Sequence, residues 1–410
     1  MSATAYCAQP SATRTPKEPT APVQFRWLVP TTWPVVPVPN ISVNPTNGAT
    51  IGIIPTWLQH SRHGEIVRIL APDVIHNANF GWGGHFRLLD YLSADTQWSV
   101  VAGAMQRVES NFDALYETGL MRQSRWSLTV EARYDRNGTA RFFGIGNDSP
   151  HVDQSVFIDQ QLWAQSTVGW NITHAWQLAY TLLIKKVRVI GGHLPGIASI
   201  TSRFPHVWGL GTSHEVLHRV ALIYDTRDDI RMPRHGVDIA LYGGIASRNG
   251  SLTSSLYTEA GFDARSYWSP DASLTVATHV DLRYMPSMNG APFWALSSIG
   301  GEHSMLGGRQ TLRGFGDSRF YGRDSFSANI EIRHKLLTLD TLGTRIVLQI
   351  APFYDTGRVF ERASTLPIDK LHNVVGVGFR GIAAPFVVGY VDVGIGSEGV
   401  AVFTGIDYPF

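Results

Sequence analysis

Polar and apolar residues alternate with a period of two along much of the chain, most clearly in its C-terminal half. Between residues 273 and 284 the even-numbered positions are mainly apolar, whereas the odd-numbered ones are Ser273, Thr275, Ala277, His279, Asp281 and Arg283. A period of two places successive side chains on opposite faces of a β-strand. A polar face that carries this many charges suits a wet lumen better than a packed core.

Sixteen segments have this character, and sixteen is an even number, as a single-chain bacterial barrel requires. Long connections follow odd-numbered segments and short ones mostly follow even-numbered segments, which is expected if both termini are periplasmic. The pattern predicts an all-β protein, a 16-stranded antiparallel transmembrane β-barrel. The predicted strands lie near 48–58, 65–76, 79–91, 96–109, 125–135, 154–170, 173–188, 212–224, 234–247, 253–266, 271–285, 324–336, 344–356, 371–379, 385–393 and 400–410.

Composition narrows the class of protein. Charged residues make up 16% of the 410 residues, aromatic residues 11%, and the mean hydropathy is −0.04. The chain lacks the apolar runs of roughly 18 residues that a helical membrane protein needs. A large soluble β-protein would have similar totals, so the alternation carries more weight. The net charge of +1 argues against a nucleic-acid partner, and the single cysteine, Cys7, excludes an intrachain disulfide framework.

The first 45 residues differ from the rest because they are rich in proline, threonine and serine. Proline fixes φ and removes a backbone donor, so we expect residues 1–45 to be an extended periplasmic leader and residues 46–410 to form the barrel. The segment Met1 to Pro22 has neither the basic start nor the apolar stretch of a signal peptide. Because such a barrel must be exported, we expect the natural reading frame to begin upstream of Met1.

Three separated elements in the C-terminal half form a motif set. Residues 300–333 read GGEHSMLGGRQTLRGFGDSRFYGRDSFSANIEIR, with Arg313, Gly314 and Phe315 at their centre. Glu331 falls on the polar face of one predicted strand, and Asp355, within Phe-Tyr-Asp-Thr-Gly, falls on the polar face of the next. These elements resemble the Arg-Gly-Phe/Tyr and Phe-x-Asp-x-Gly signatures of the BamA/TamA-type bacterial outer-membrane surface-antigen superfamily.

The resemblance implies that the loop between strands 11 and 12 folds into the lumen, where its arginine contacts acidic residues of the inner wall. Arg313 would then pair with Asp355 and lie close to Glu331, because an arginine taken from water needs anionic partners. Gly314 would let the tip turn, with Phe315 beside it. The alternative is an ordinary glycine-rich surface loop with an exposed arginine.

Two further segments resemble elements of the same superfamily. The run from 225 to 236 resembles its Asp-x-Arg-Asp…Pro-x-x-Gly periplasmic turn; the matching residues are Asp225, Arg227, Asp228, Pro233 and Gly236. The C-terminus resembles the insertion signal that the barrel-assembly machinery reads, with Ile406, Tyr408 and Phe410 at alternating positions. A loop motif of short members is matched at 142–147 (FFGIGN). The resemblance suggests a barrel-only member that lacks periplasmic docking domains.

Two matches to catalytic or nucleotide motifs are better explained by strands. The sequence His214-Glu215-Val216-Leu217-His218 fits the zinc-peptidase pattern H-E-x-x-H, which requires a helix, but it runs into a strand-like segment. Residues 376–381 fit G-x-G-x-x-G but lie between strand-like runs, whereas a dinucleotide fold needs a helix after them. We therefore expect no catalytic, metal-binding or cofactor-binding residues.

The resemblance implies an assembly or translocation barrel of the Gram-negative outer membrane. Such a protein would insert or translocate polypeptides, or anchor them at the surface, with outer-membrane lipid and the assembly machinery as its partners and an unidentified polypeptide as client. A passive solute pore is the alternative, and an outer-membrane lipid-modifying enzyme is less favoured because the sequence offers no catalytic constellation.

Overall fold

The structure of the protein is a computed structural model that describes residues 36–44, 46, 48–61, 66–230, 232–303, 309–341, 344–361, 370–383 and 387–406. Strands dominate these residues, and the one α-helix among them is the single turn α1 (Ile200–Arg203). Short 3-10 turns lie at His151–Asp153 and Phe293–Ala295. In this part of the chain, no helix is long and apolar enough to cross a membrane.

The strands follow one another along the chain. They are β1 (Val36–Asn44), β2 (Gly48–His60), β3 (Ile66–Leu70), β4 (Val74–Asn77), β5 (Gly81–Tyr91), β6 (Thr96–Met105), β7 (Ser110–Thr118), β8 (Trp126–Phe142), β9 (Ser155–Asn171), β10 (Trp176–Gly191), β11 (Ala198–Ser199), β12 (Gly211–Asp225), β13 (Gly236–Ser247), β14 (Ser255–Trp268), β15 (Leu274–Tyr284), β16 (Ser297–Ile299), β17 (Gly301–His303), β18 (Arg309–Leu312), β19 (Phe320–Gly322), β20 (Asp324–Thr341), β21 (Thr344–Phe360), β22 (His372–Ala383), β23 (Val387–Gly396) and β24 (Gly399–Ile406).

The long strands form the wall of a closed barrel. Each wall strand pairs antiparallel with the next one along the chain, and β1 pairs with β24 to close the sheet. This sheet has 20 strands, of which β3 and β4 share one place between β2 and β5, and the two-residue β11 is a parallel addition to β9. The described residues therefore occupy eighteen places around the wall.

The count of eighteen corrects the predicted sixteen, although the all-β barrel fold itself is as expected. The additional places belong to β1 and β7. The strand β1 lies within the predicted leader, so the wall begins before residue 46, and the predicted domain boundary is corrected at this point. Its prolines Pro37 and Pro39 suggested a segment outside any sheet, yet both lie in register opposite β2. Proline is tolerated in such a strand because β1 is weakly paired on its other side.

The two faces of the wall differ as the alternation predicts. On β20, Ile330 and Ile332 are about two-fifths exposed, whereas Asn329, Glu331 and Arg333 between them are buried. The same alternation runs along β15, where every second residue is buried. Exposed apolar side chains on the outer face and buried charged ones on the inner face are the arrangement of a membrane-spanning barrel.

Connections at the two ends of the barrel differ in length. The described parts of the connections after β8, β10, β15 and β21 lie at one end, and the connections at the other end, such as 172–175 and 269–273, are mostly short. Short periplasmic turns and long extracellular loops are the rule for outer-membrane barrels, so the long connections are extracellular. The longest, residues 285–323, carries β16 to β19 and packs against the inner face of β20, β21 and β22.

The largest apolar core lies at the extracellular end. It joins residues from β8 to β14 with residues of the extracellular connections; its members include Phe142, Phe157, Val187, Ile200, Leu217, Tyr257, Met285, Phe293, Trp294 and Tyr321. The rings of Phe142 and Phe293 lie 4.7 Å apart between centroids. This extracellular core caps one side of the lumen, and the charged inner face below it holds the inserted segment.

Candidate functional site

Arg313 lies at the centre of a fully buried ion cluster beneath the extracellular core. Its side chain is 0% exposed, as are those of its acidic partners. Nε and Nη2 donate to the two carboxylate oxygens of Asp355 at 2.9 and 2.7 Å, and the backbone N–H donates to the same residue at 3.0 Å. Nη1 donates to Glu331 at 2.7 Å and to Asp392 at 3.1 Å. Nε and Nη2 thus bind one carboxylate as a fork, and Nη1 is left to bind the other two carboxylates.

Two wall arginines complete this Arg313 cluster. Arg380 donates to Glu331 at 3.0 Å and also bonds Asp392, and Arg333 donates to Glu331 at 2.9 Å. Arg313, Arg333 and Arg380 therefore balance Glu331, Asp355 and Asp392 within one enclosed group. Balanced charge with several hydrogen bonds is what makes a buried ionic group tolerable.

Aromatic packing and close backbone contact fix the position of the loop tip. The guanidinium carbon of Arg313 lies 3.5 Å from the ring centroid of Phe353. At Gly314, an added Cβ would lie 2.7 Å from the backbone nitrogen of Gly396 and 2.9 Å from Val374, so only glycine fits. Phe315 is 1% exposed and packs in an apolar group with Leu312, Phe320 and Val374. The tip is therefore held by shape as well as by charge.

A second arginine of the inserted segment fastens the extracellular side. Arg319 donates to Glu398 in the turn between β23 and β24, with its closest nitrogen at 2.6 Å. It also donates to the Ser149 carbonyl at 2.8 Å, and its guanidinium carbon lies 3.9 Å from the Phe143 ring centroid and 4.4 Å from that of Phe320. The inserted segment thus joins the connection after β8 to the last hairpin of the wall.

The predicted glycine-rich loop at 142–147 forms part of the same assembly. The side-chain oxygen of Asn147 accepts the backbone N–H of Val359 at 3.1 Å, and its amide donates to the Lys370 carbonyl at 2.9 Å. The backbone N–H of Gly146 donates to the Tyr321 carbonyl at 2.7 Å. The loop is therefore hydrogen-bonded both to the inserted segment and to the wall.

The predicted periplasmic turn lies between β12 and β13, at the end with short connections. Arg227 donates to both carboxylate oxygens of Asp225, at 3.0 and 2.7 Å. Asp228 accepts the backbone N–H groups of Arg234 and His235 at 2.9 and 3.0 Å. Burial alone would raise the pKa of Asp228, but these donors outweigh it and lower the pKa below its ordinary value.

Two small residues complete that turn. Gly236 has φ +101°, and a Cβ there would lie 2.3 Å from the Thr226 carbonyl oxygen, so a side chain cannot be accommodated. Pro233 is buried within the turn. The five predicted residues of the turn therefore lie together in one hydrogen-bonded unit.

The predicted insertion signal lies mostly outside the described residues. Ile406 is the last residue of β24, whereas Tyr408 and Phe410 belong to the part of the chain that the structure does not describe. Their role therefore stays a prediction.

The seam between the first and last strands has few paired residues. Among the described residues, β1 and β24 have one registered pair, Val43 with Val402. By contrast, β1 and β2 have nine registered pairs, and β23 and β24 have eight. The first strand of the wall, β1, contains Pro37 and Pro39.

The two misleading motifs lie on wall strands. His214 and His218 are on one face of β12, and Glu215 points to the opposite, inner face, where it is 3% exposed. The three side chains therefore cannot meet as they would on a helix. Residues 376–381 lie within β22, with no helix after them. Among the described residues, no group of three or more His, Cys, Asp or Glu side chains could hold a metal ion.

A wall with an inserted arginine loop defines a class of outer-membrane barrel, and sequence comparison gives its family. The Omp85 superfamily domain matches residues 95–384, so the chain belongs to the Omp85 superfamily. This confirms the predicted BamA/TamA-type family, and it makes the protein a barrel of the outer-membrane assembly and translocation superfamily. Comparison with curated proteins gives no match.

Solved structures of the same architecture are distant in sequence. BamA from Haemophilus ducreyi lacking POTRA domains 1–3 is 13% identical, with a TM-score of 0.50 over 93% of this chain and 76% of that one. CdiB from Escherichia coli is 12% identical, with a TM-score of 0.47 over 91% of this chain and 62% of that one. CdiB from Acinetobacter baumannii is 11% identical, with a TM-score of 0.45 over 91% of this chain and 59% of that one. These likenesses concern the fold.

Proposed function

We propose that this protein inserts polypeptides into the outer membrane or translocates them across it by opening the seam between β1 and β24. The observation that carries the proposal is the single registered pair that the described residues form at this seam, set against nine and eight pairs on its two sides. Open strand edges are costly in lipid, so a barrel gains by closing its seam fully unless the seam must open.

The composition of β1 supports the same conclusion. Pro37 and Pro39 have no backbone N–H, which removes two donors from a strand of nine residues. These prolines weaken the pairing of β1 with β24 and make β1 itself a poor template, so an extended client strand would add to the edge of β24 by β-augmentation. The client would form with β24 the backbone hydrogen bonds that β1 does not form with it.

Contacts of the inserted segment distinguish the two sides of the seam. Arg313 contacts Asp392 on β23, and Arg319 contacts Glu398 in the turn that leads to β24. The last hairpin is therefore fastened to the inserted segment at two points. By contrast, β1 is joined to β24 by one registered pair among the described residues. Opening would then proceed by movement of β1 away from a fixed β24.

The alternative of a passive solute pore is less well supported. The inserted segment, its buried ion cluster and the extracellular core fill one side of the lumen. A constitutive pore needs an unobstructed aqueous path, whereas a conduit for polypeptides needs an obstruction that can move. A surface anchor would bind a polypeptide at the same seam and would not release it.

A reversible crosslink across the seam tests the proposal. In a Cys7→Ser background, Val43→Cys and Val402→Cys place thiols at the one registered pair of the seam. We expect the oxidised variant to lose one or more polypeptides from the outer membrane or the cell surface, as measured by quantitative mass spectrometry of those fractions. Reduction of the disulfide should restore them.

The matched control crosslinks two strands that have no need to separate. Val100→Cys and Ala114→Cys are registered partners on β6 and β7, and both side chains face outward. This disulfide should leave the surface polypeptides unchanged. If oxidation at the seam also leaves them unchanged, and the purified protein conducts ions in planar bilayers in both redox states, the protein is a pore and the proposal is wrong.

A further inference from the structure

The outer face of the wall carries a basic group at its extracellular end. Along β10, the outward row of Trp176, Leu178, Tyr180 and Ile184, each about two-fifths exposed or more, continues into Lys186 and Arg188. Both of these cations are exposed. A lipid-facing row that changes from apolar to basic has reached the level of the lipid headgroups.

The height of these residues above the periplasmic aromatic residues supports this placement. Trp126, Trp170 and Trp176 are exposed at the periplasmic end of β8, β9 and β10. Ten residues separate Trp176 from Lys186, which is roughly 33 Å along a strand and roughly 25 Å along the membrane normal at the usual tilt. That height equals the apolar band of an outer-membrane barrel. Lys186 and Arg188 therefore lie at the headgroups of the outer leaflet.

Strand register brings further polar groups to the same place. Arg136, Gln160, Arg188 and Thr212 lie side by side on β8, β9, β10 and β12. In the next row towards the membrane, Leu162, Lys186 and His214 lie side by side. With neighbouring strands about 4.8 Å apart, the three cations fall within about 10 Å along the backbone. We call Arg136, Lys186, Arg188 and His214 the outer-leaflet patch.

Among the described residues, the cations of the patch have no carboxylate partner. The registered neighbours of its cations across β9 and β12 are Gln160, Leu162, Thr212 and His214, none of them acidic. Within the described ranges, no carboxylate pairs with Lys186 or Arg188, and Nε of Arg136 is buried without a hydrogen-bond partner. The inward arginines, such as Arg283 and Arg313, are by contrast paired with carboxylates. Three neighbouring cations without a carboxylate partner at the membrane surface offer donors to an anion from outside the protein.

We propose that the outer-leaflet patch binds the phosphate groups of a phosphorylated lipid of the outer leaflet. Arginine and lysine bind phosphate through charge-assisted hydrogen bonds, and a basic patch at headgroup level recognises anionic lipid. Leu162, 55% exposed between the cations, offers apolar surface to the acyl chains below. The two histidines of the H-E-x-x-H motif also face this side, so the outward half of that motif belongs to a lipid-binding surface. The proposal does not depend on the seam.

Native mass spectrometry of the full chain in detergent tests the lipid site. The probes are diphosphoryl lipid A, monophosphoryl lipid A and zwitterionic phosphatidylethanolamine. We expect retention to fall in that order, because each phosphate is neutralised by part of the patch. The variant R136Q/K186Q/R188Q should lose diphosphoryl lipid A binding by at least about tenfold, since it removes three cations that each attract an anionic headgroup.

A charge-matched variant controls for nonspecific electrostatics. R248Q/R345Q/K370Q removes the same three charges from exposed positions away from the patch and should retain lipid A within about twofold. Heat-modifiability on gels checks that both variants remain folded barrels. Equal losses in the two variants would overturn the site. If a large excess of inorganic phosphate displaces lipid A and binds as tightly by itself, the ligand is free phosphate and the lipid assignment is wrong.

Discussion

Arg313 and Asp355 form a two-point ion pair in which both side chains are completely buried, although the residues are 42 positions apart in the chain. The pair fastens the inserted segment to the wall at β21. Because neither side chain reaches solvent, removing one partner leaves an uncompensated charge in the interior of the barrel. The loop lock, meaning the Arg313 cluster as a restraint on the inserted segment, is therefore open to direct measurement.

The first prediction concerns this loop lock. Arg313→Ala should cost about 3–5 kcal/mol in stability of the loop, raise its protease sensitivity and increase ion leakage in planar bilayers. Asp355→Asn should act in the same direction, and the double variant should cost less than the sum of the two. Arg345→Ala removes an exposed pair with Asp340 and should cost about 0–1 kcal/mol. Strictly additive effects of the Arg313 and Asp355 substitutions would contradict the lock.

The second prediction concerns Arg319. Arg319→Lys keeps the charge but loses the planar stacking on Phe143 and Phe320 and the several bonds to Ser149 and Glu398. Loss of these contacts should raise the open population of the extracellular loops by about tenfold, since stacked cations contribute about 1–2 kcal/mol. Proteinase digestion of intact cells measures this opening. Lys370→Gln, which breaks an exposed pair with Asp148, should leave the digestion rate unchanged.

The third prediction concerns the pH dependence of the periplasmic turn. The backbone donors of Arg234 and His235 lower the pKa of Asp228 although burial opposes them, so folding favours the ionised form. A group with a lowered pKa stabilises the fold above its unfolded value of 3.8 and loses that contribution as pH falls through the folded value. Amide hydrogen exchange at Arg234 and His235 should therefore accelerate, beyond its intrinsic pH dependence, as the pH is lowered below about 4. In Asp228→Asn this additional acceleration should be absent; if it persists there, the carboxylate is not its cause.

The fourth prediction concerns the C-terminal residue. Phe410 ends the run of alternating residues that includes Ile406 and Tyr408, and aromatic residues of such runs lie at the periplasmic interface. Deletion of Phe410 should slow assembly into the outer membrane, as measured by pulse-chase and by heat-modifiability on gels. Phe410→Tyr keeps an aromatic ring and should assemble at the normal rate. Normal assembly of the deletion variant would remove this residue from the signal.

The alternation of polar and apolar residues was sufficient to predict the barrel and to place its acidic side chains on the inner face. Period two places Glu331 and Asp355 on the inner face, and the Arg-Gly-Phe tip supplies the matching cation. Asp392 was missed, although it is the one acid of β23 and alternates with outward residues such as Val391. Its position beside Arg313 depends on strand register across β22 and β23, which period alone does not give.

Two strands and one contact could not be predicted from the alternation of polar and apolar residues, for physical reasons. The prolines of β1 indicate a segment outside a sheet, and only its pairing with β2 and β24 makes it a strand. The strand β7 is short, and its outward row has polar ends at Ser110 and Thr118, so its apolar signal is weak. The contact of Arg319 with Glu398 joins residues 79 positions apart in two connections, where no periodicity exists.

The extracellular core sets an order of events in folding. Its buried members come from strands and connections between Phe142 and Tyr321, and Phe142 and Phe293, which are in ring contact, are separated by 151 positions. Contacts of such long range form late, because the loops between them must close first. The wall from β8 to β15 must therefore be paired before this core can pack, so a packed core reports that the strands beneath it are already in register. The extracellular cap therefore forms only on a barrel in which the strands from β8 to β15 are already paired.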